Sequence, residues 1–297
     1  MVKGLSLIRL FPVSLALAVS LVALAASCTA ETESTGRLGV AVTILPQAEF
    51  VESVGGEKVG VTVMVPPGAS PHTYEPTPSQ MEALSRAKMY AGVGSGVEFE
   101  LAWMDKLIAT NKKMLVIDCS RGIVLQESED EDEHHGAMDP HIWMSPSNAQ
   151  IMVRNICEGL IQLDPGNRAY YEQNREAYLQ KLIQLDQDIR AGLAGVPNRT
   201  LMVYHPAFGY FAGKYNLTML PIAGEGKEPT PASLAGLVQQ AKEHNVKVIF
   251  ASPQFNPESA RVIARAIGGR VVFIDPLTRE YILNLRVLLG ELGEALK

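Results

Sequence analysis

The stretch LGVAVTILPQAEFVESVGGEKVGVTVMV, residues 38–65, decides the fold. Its two ends, 38–44 and 59–65, are short runs of apolar and β-branched residues, the composition of strands buried on both faces. Residues 46–54 between them read as a helix. A strand, a helix and a second strand of this kind form a βαβ unit, whose strands run parallel.

The same rhythm continues outward. MYAGVG (89–94) and KMLVID (113–118) read as strands, 78–87 and 98–110 as helices, and Ser147 to Leu163 as a further amphipathic helix. After an interruption the pattern returns, with strand candidates at 199–205, 218–222, 247–252 and 270–275 and helices at about 232–243, 257–267 and 281–296. Between the halves, Asn167 to Leu193 carries Tyr171, Tyr178, Leu182, Leu185 and Ile189 at helical spacing, started by Asp164-Pro165-Gly166 and stopped by Gly195-Val196-Pro197. A helix of that length spans roughly 40 Å. The expected fold is therefore α/β: two lobes, 38–163 and 196–297, each with a mostly parallel sheet flanked by helices, joined by one long backbone helix within 164–195. The alternative is a plain surface helix on a single domain.

The N-terminus stands apart. Lys3 and Arg9 precede the uncharged stretch Phe11–Ala26, and Ala25-Ala26-Ser27-Cys28 closes it with small residues before a cysteine. That is the layout of a secretory signal over 1–27. A cysteine in this place resembles a bacterial lipobox, which implies cleavage before Cys28 and lipid on its sulfur. Ala25 stands where the commonest lipobox has leucine, so plain secretion is the alternative. Residues 28–37 then form a polar tether. Losing Lys3 and Arg9 with no acid takes the net charge from -6 to -8, and an acidic chain without a basic patch is no nucleic-acid binder. No later segment is long and apolar enough to cross a bilayer as a helix. Cys119 and Cys157 lack CxxC spacing, which argues against a thiolate zinc site; they are either a disulfide or two buried free thiols.

Chemistry points to four positions. His72, His141, His205 and Asp275 follow one another at steps of 69, 64 and 70 residues, in a chain with 6 histidines. VPPGASPHTYEPTPSQ (65–80) presents His72 on a rigid proline- and glycine-rich turn. DPHIW (139–143) restricts the backbone before His141, YHPAFGYF (204–211) puts His205 at a strand-to-helix junction, and FIDPL places Asp275 at a strand end. One such histidine alone is most simply a solvated loop residue. Together, two donors from each half meet where the lobes face each other, because ligands of open α/β sheets gather at the C-terminal ends of strands. Three imidazoles and a carboxylate suit tetrahedral Zn2+, with Mn2+ or ferrous iron as alternatives. Imidazole must be neutral to bind, so affinity should fall as pH drops through about 6.

At these motifs the chain resembles the solute-binding proteins of zinc and manganese ABC importers, the ZnuA-like and TroA-like cluster. The resemblance runs over 38–297 and includes the lipobox-like start, PGASPHTYEP, DPHIW, YHPAFGYF, GEGKEPTPASL (224–234), ASPQF and the terminal aspartate. It implies two α/β lobes joined by a long helix, His72, His141, His205 and Asp275 as metal ligands, and a membrane permease with its ATPase as partners of a monomeric, lipid-anchored or periplasmic protein. Histidine at 205, where some members carry glutamate, is similar to the zinc-type members. Two departures stand out: Pro71 occupies a place where some zinc-type members have an acid, and the acidic histidine-bearing insertion is short.

That insertion, QESEDEDEHHG (126–136), is acidic at six of the seven positions from Glu127 to Glu133 and ends in His134 and His135. It reads either as a solvated loop, extending to about 138, or as a weak secondary site that gathers cations by its negative potential. Tyr74 and Glu75 are candidates to orient His72, Glu225 and Glu228 to line the site, and His244 reads as a surface residue. Capture without chemistry is the expected function, since four protein ligands leave no position for a reactive water. A secreted zinc hydrolase would need one, together with a general base, and HExxH is absent. A metal-stabilised adhesin lipoprotein is the third reading.

Overall fold

The first strand, β1 (Leu38–Val42), is buried at its C-terminal end because both neighbouring strands and the helices on either face cover it. A computed structural model of the chain describes residue 1 and residues 36–128, 138–224 and 229–297. The expected signal, Cys28, His134, His135, Glu225 and Glu228 lie outside the described residues. After β1 the chain turns into α1 (Leu45–Gly55), runs back through β2 (Val59–Val63), and continues with α2 (Pro78–Arg86), β3 (Met89–Gly92), α3 (Glu98–Thr110) and β4 (Leu115–Asp118). The four strands are parallel in the order β2-β1-β3-β4.

The crevice between β1 and β3, where the strand order reverses, is filled by buried polar side chains. Gln47 accepts from Thr43 N (3.1 Å) and Ile44 N (3.2 Å) and donates to Ala91 O (3.0 Å). It thereby satisfies the free amides at the start of α1 and ties them to β3. Glu100 accepts from the Thr43 hydroxyl, Val93 N (2.6 Å) and Gly94 N (2.9 Å). Burial raises its pKa, against the pull of those hydrogen bonds.

The second half repeats the plan. α4 (Pro146–Leu163) and the 26-residue α5 (Arg168–Leu193) lead into β5 (Thr200–Val203), α6 (Gly209–Tyr215), β6 (Thr218–Pro221), α7 (Pro231–Glu243), β7 (Val248–Ala251), α8 (Glu258–Ile267), β8 (Arg270–Phe273) and α9 (Tyr281–Ala295). These strands are also parallel, in the order β6-β5-β7-β8. α5 is about 39 Å long and buries the five apolar positions its periodicity marked, Tyr171, Tyr178, Leu182, Leu185 and Ile189. It packs on α1 and α4 from the first half and on α9 from the second.

Residues 38–297 form one compact unit, and its main core is continuous across both halves, from Val40 and Phe50 through Leu182 to Leu201, Phe250 and Leu288. Polar bonds reinforce that continuity. Glu49 on α1 accepts from Tyr178 on α5 (2.6 Å) and from Tyr281 N at the start of α9 (2.6 Å). Trp143 donates to Pro276 O (2.8 Å), and the Tyr281 hydroxyl donates back to Trp143 O (2.7 Å). Cys119 and Cys157 are both free and buried, so of the two readings of the thiols the unbonded one holds.

Candidate metal centre

The turn carrying His72 is set by its own prolines and glycine. Gly68 adopts φ +79, in the left-handed region, and Ala69 N donates to Pro66 O (3.1 Å). Tyr74 N closes the turn on Ser70 O (3.0 Å). Gln80 in α2 fixes the far end: its amide donates to Met64 O (2.6 Å), while its Oε1 accepts from Thr77 N (2.9 Å) and the Tyr74 hydroxyl (2.9 Å). Tyr74 therefore braces the turn through Gln80. Glu75 is exposed.

Glu98 holds His72, its Oε1 lying 2.7 Å from Nδ1. No sequence periodicity marked it, because the pair spans 26 residues and joins a loop to the first residue of α3. Burial would raise the Glu98 pKa, but the hydrogen bond and charge of His72 outweigh it and hold the carboxyl below its usual range. His141 is held similarly by the aspartate of its own motif. Asp139 Oδ1 accepts from His141 N (2.9 Å) and stands 2.8 Å from its Nδ1. Gly209 makes room for this aspartate, since a Cβ there would lie 2.4 Å from Asp139 Oδ2.

His205 follows β5 directly, where Tyr204 N donates to Phe250 O (2.7 Å) and keeps the chain in register with β7. Its ring packs on Phe255 at 4.7 Å between centroids. His205 Nε2 stands 3.2 Å from His72 Nε2 and 3.2 Å from His141 Nε2. All three donor atoms lie within 4.8 Å of one another.

This geometry has a chemical consequence. A carboxylate only accepts hydrogen bonds, so Nδ1 of His72 and of His141 carries a proton, and in the neutral rings that metal binding requires each Nε2 presents a lone pair. One hydrogen on His205 Nε2 can serve only one of the two, which leaves lone pairs facing each other in a buried place. A cation between them resolves the conflict. Three nitrogens at about 2.0–2.1 Å from one tetrahedral ion stand about 3.3–3.4 Å apart, close to the two 3.2 Å spacings about His205. Burial, then the proximity of His141 and His72, lowers the His205 pKa well below 6.5, keeping it in the neutral form that metal binding requires. The cavity they border is about 10 Å³, lined by Pro71, Trp143, Gln254, Phe255 and Leu277 besides the histidines, room for a single small ion or water.

Asp275 lies just past β8, in sequence next to the cavity-lining Pro276 and Leu277, and outside the group of donors within 4.8 Å. Its Oδ1 accepts from Gln254 Nε2 (2.7 Å) and Leu277 N (2.8 Å). His244 is exposed at the end of α7. The expected acidic loop leaves from a bridge between Glu127 and Met138, and its base is tied to the site, since Asp139 N donates to Gln126 O (2.9 Å).

Two parallel α/β sheets, a long helix alongside them and three imidazoles converging on an ion-sized cavity define a cation-binding protein of the two-lobed solute-binding class. Comparison with known proteins makes the assignment specific. Residues 40–295 match the family described as ZnuA, zinc-uptake complex component A, periplasmic, and the chain belongs to that family. It is 33% identical over 252 residues to the high-affinity zinc uptake system protein ZnuA of Bacillus subtilis, covering 81% of this chain and 79% of that protein. It is 27% identical over 264 residues to the zinc-binding lipoprotein AdcA of Streptococcus pneumoniae, covering 84% of this chain and about half, 52%, of that longer one. A crystal structure of ZnuA superposes with a TM-score of 0.83 at 39% identity, covering 88% of this chain and 100% of the other.

Proposed function

We propose that this protein captures Zn2+ outside the cytoplasmic membrane and hands it, unreacted, to the permease of an ABC importer driven by its ATPase. His72, His141 and His205 supply the imidazole donors, and Asp275 completes the set once its carboxylate leaves Gln254. The observation that carries the reading is the pair of 3.2 Å Nε2 separations about His205, with the Nδ1 atoms of both outer rings committed to carboxylates. Nitrogen-rich donors favour Zn2+ over Mn2+. Cys28 carries the lipid that holds the monomer at the membrane, and His134 and His135 in the acidic loop form a weaker gathering site. Zinc-uptake relatives support this assignment.

The test is elemental analysis of protein purified from its native host, followed by calorimetric competition between Zn2+ and Mn2+. One tightly held Zn2+ per chain that Mn2+ cannot displace is expected. A native load of manganese, or preference for Mn2+ in competition, overturns the choice of metal.

A further inference from the structure

We infer that Glu98 is a positioning residue for the cargo: its carboxylate fixes which nitrogen of His72 faces the cation and holds that ring at the cavity. The inference rests on the reading of His72 as a donor. His141 and His205 are each 4% exposed and lie directly beside regular structure, His141 before the 3-10 turn Ile142–Met144 and His205 two residues after β5. His72 instead stands on a turn without helix or strand, between β2 and α2. A ring in such a place needs an outside support to keep one orientation.

Glu98 has the geometry for that support. Its Oε1 is 2.7 Å from Nδ1, yet Glu98 does not line the cavity, so it acts through the ring. It is the first residue of α3, and two residues on, Glu100 is gripped by Val93 N and Gly94 N in the crevice between β1 and β3. The first turn of α3 thus transmits the position of the sheet to His72. Glu98 Oε2 is buried and makes no hydrogen bond among the described residues. An unsatisfied carboxylate oxygen is costly for a contact that merely closes a surface, whereas a negative charge behind the imidazole strengthens Nε2 as a donor to a cation.

The experiment is a Zn2+ affinity measurement by chelator competition on the full mature chain, comparing wild type, Glu98→Gln, His72→Ala and the double variant. Glu98→Gln should weaken binding by about 10- to 100-fold without changing the melting temperature of the metal-free protein, and should cost less than about twofold when His72 is already alanine. A loss of equal size in the His72→Ala background shows that Glu98 acts through the fold and overturns the inference. So does wild-type affinity in Glu98→Gln while His72→Ala binds weakly, an outcome that leaves the ligand reading intact. Wild-type affinity in His72→Ala overturns the ligand reading and this inference with it.

Discussion

His205→Ala is the most exacting test of the site, because this ring alone sits 3.2 Å from both other imidazoles. Zinc held by a full set of protein ligands is worth about 10–16 kcal/mol. Divided over four donors, one ligand accounts for about 2.5–4 kcal/mol, or roughly 70- to 900-fold in affinity. Thermal melting reads the loss directly. With free Zn2+ at about 1,000 times the wild-type Kd, the metal adds about 4 kcal/mol of stability, which raises Tm by roughly 8–16 °C in a chain of this size. A variant weakened about 300-fold keeps about 0.9 kcal/mol, a rise of roughly 2–4 °C. The metal-free variant should still fold, since removing the ring costs its packing on Phe255, about 1 kcal/mol, while relieving the opposed lone pairs. A zinc-induced rise equal to that of the wild type refutes the assignment of His205. A metal-free variant that no longer melts cooperatively refutes the claim that the ring serves the cargo before the core.

Acid should destabilise the metal-free protein through the same residue. Burial and its two histidine neighbours hold His205 neutral well below pH 6.5, so below about 6.5 the unfolded chain takes up a proton that the folded chain refuses, and stability falls with falling pH; wild type should lose more Tm than His205→Ala between pH 7 and 5.5, and parallel curves contradict this. Gly209→Ala brings a Cβ within 2.4 Å of Asp139 Oδ2 and should turn His141 out of line, weakening Zn2+ by about 10- to 100-fold; unchanged calorimetric affinity would sink that account. Tyr281→Phe removes the 2.7 Å bond to Trp143 O and leaves a buried carbonyl unpaired, costing about 1–3 kcal/mol in urea unfolding with the slope m preserved. Deleting residues 129–136 should lower the total zinc bound and spare the tight site, because Asp139 and Gln126 close the loop at its base; loss of the tight calorimetric step means the loop supplies a primary donor.

The fold was legible where hydrophobic period and punctuation agree. Residues 38–65 read as strand, helix and strand, and β1, α1 and β2 are their counterparts; the five apolar positions of α5 are all buried. α6 was expected only as the helix side of the junction at His205 and carried no bounds, because its seven residues follow the histidine motif too closely to show a period. The continuity of the core was equally hidden, since pattern reading treats each half as separate while Glu49, Trp143 and Tyr281 join them over separations of 129 to 232 residues. At the site, the histidines were conspicuous because rare residues in rigid proline turns stand out. Asp139 lay inside a motif already singled out for its histidine. Glu98 is one acid among 32 Asp and Glu, and only the packing of α3 against the His72 turn distinguishes it.

The order of the donors in space bears on how an ion is both held and given up. His205, just past the first strand of the second sheet, stands between His72 and His141 of the first half, so a cation held among the three would replace repulsion between the halves with attraction. Binding and the juxtaposition of these segments are therefore linked, and linkage is reciprocal. Any membrane partner that favours their separation lowers the affinity for Zn2+ by the factor with which Zn2+ opposes that partner. The continuous core along α5 and α9 resists wholesale opening, whereas the His72 turn is anchored by a few hydrogen bonds at its ends and by Glu98. Local opening draws on the least stable parts of a fold, so separation of the three histidines is expected to begin at that turn and not at the long helix.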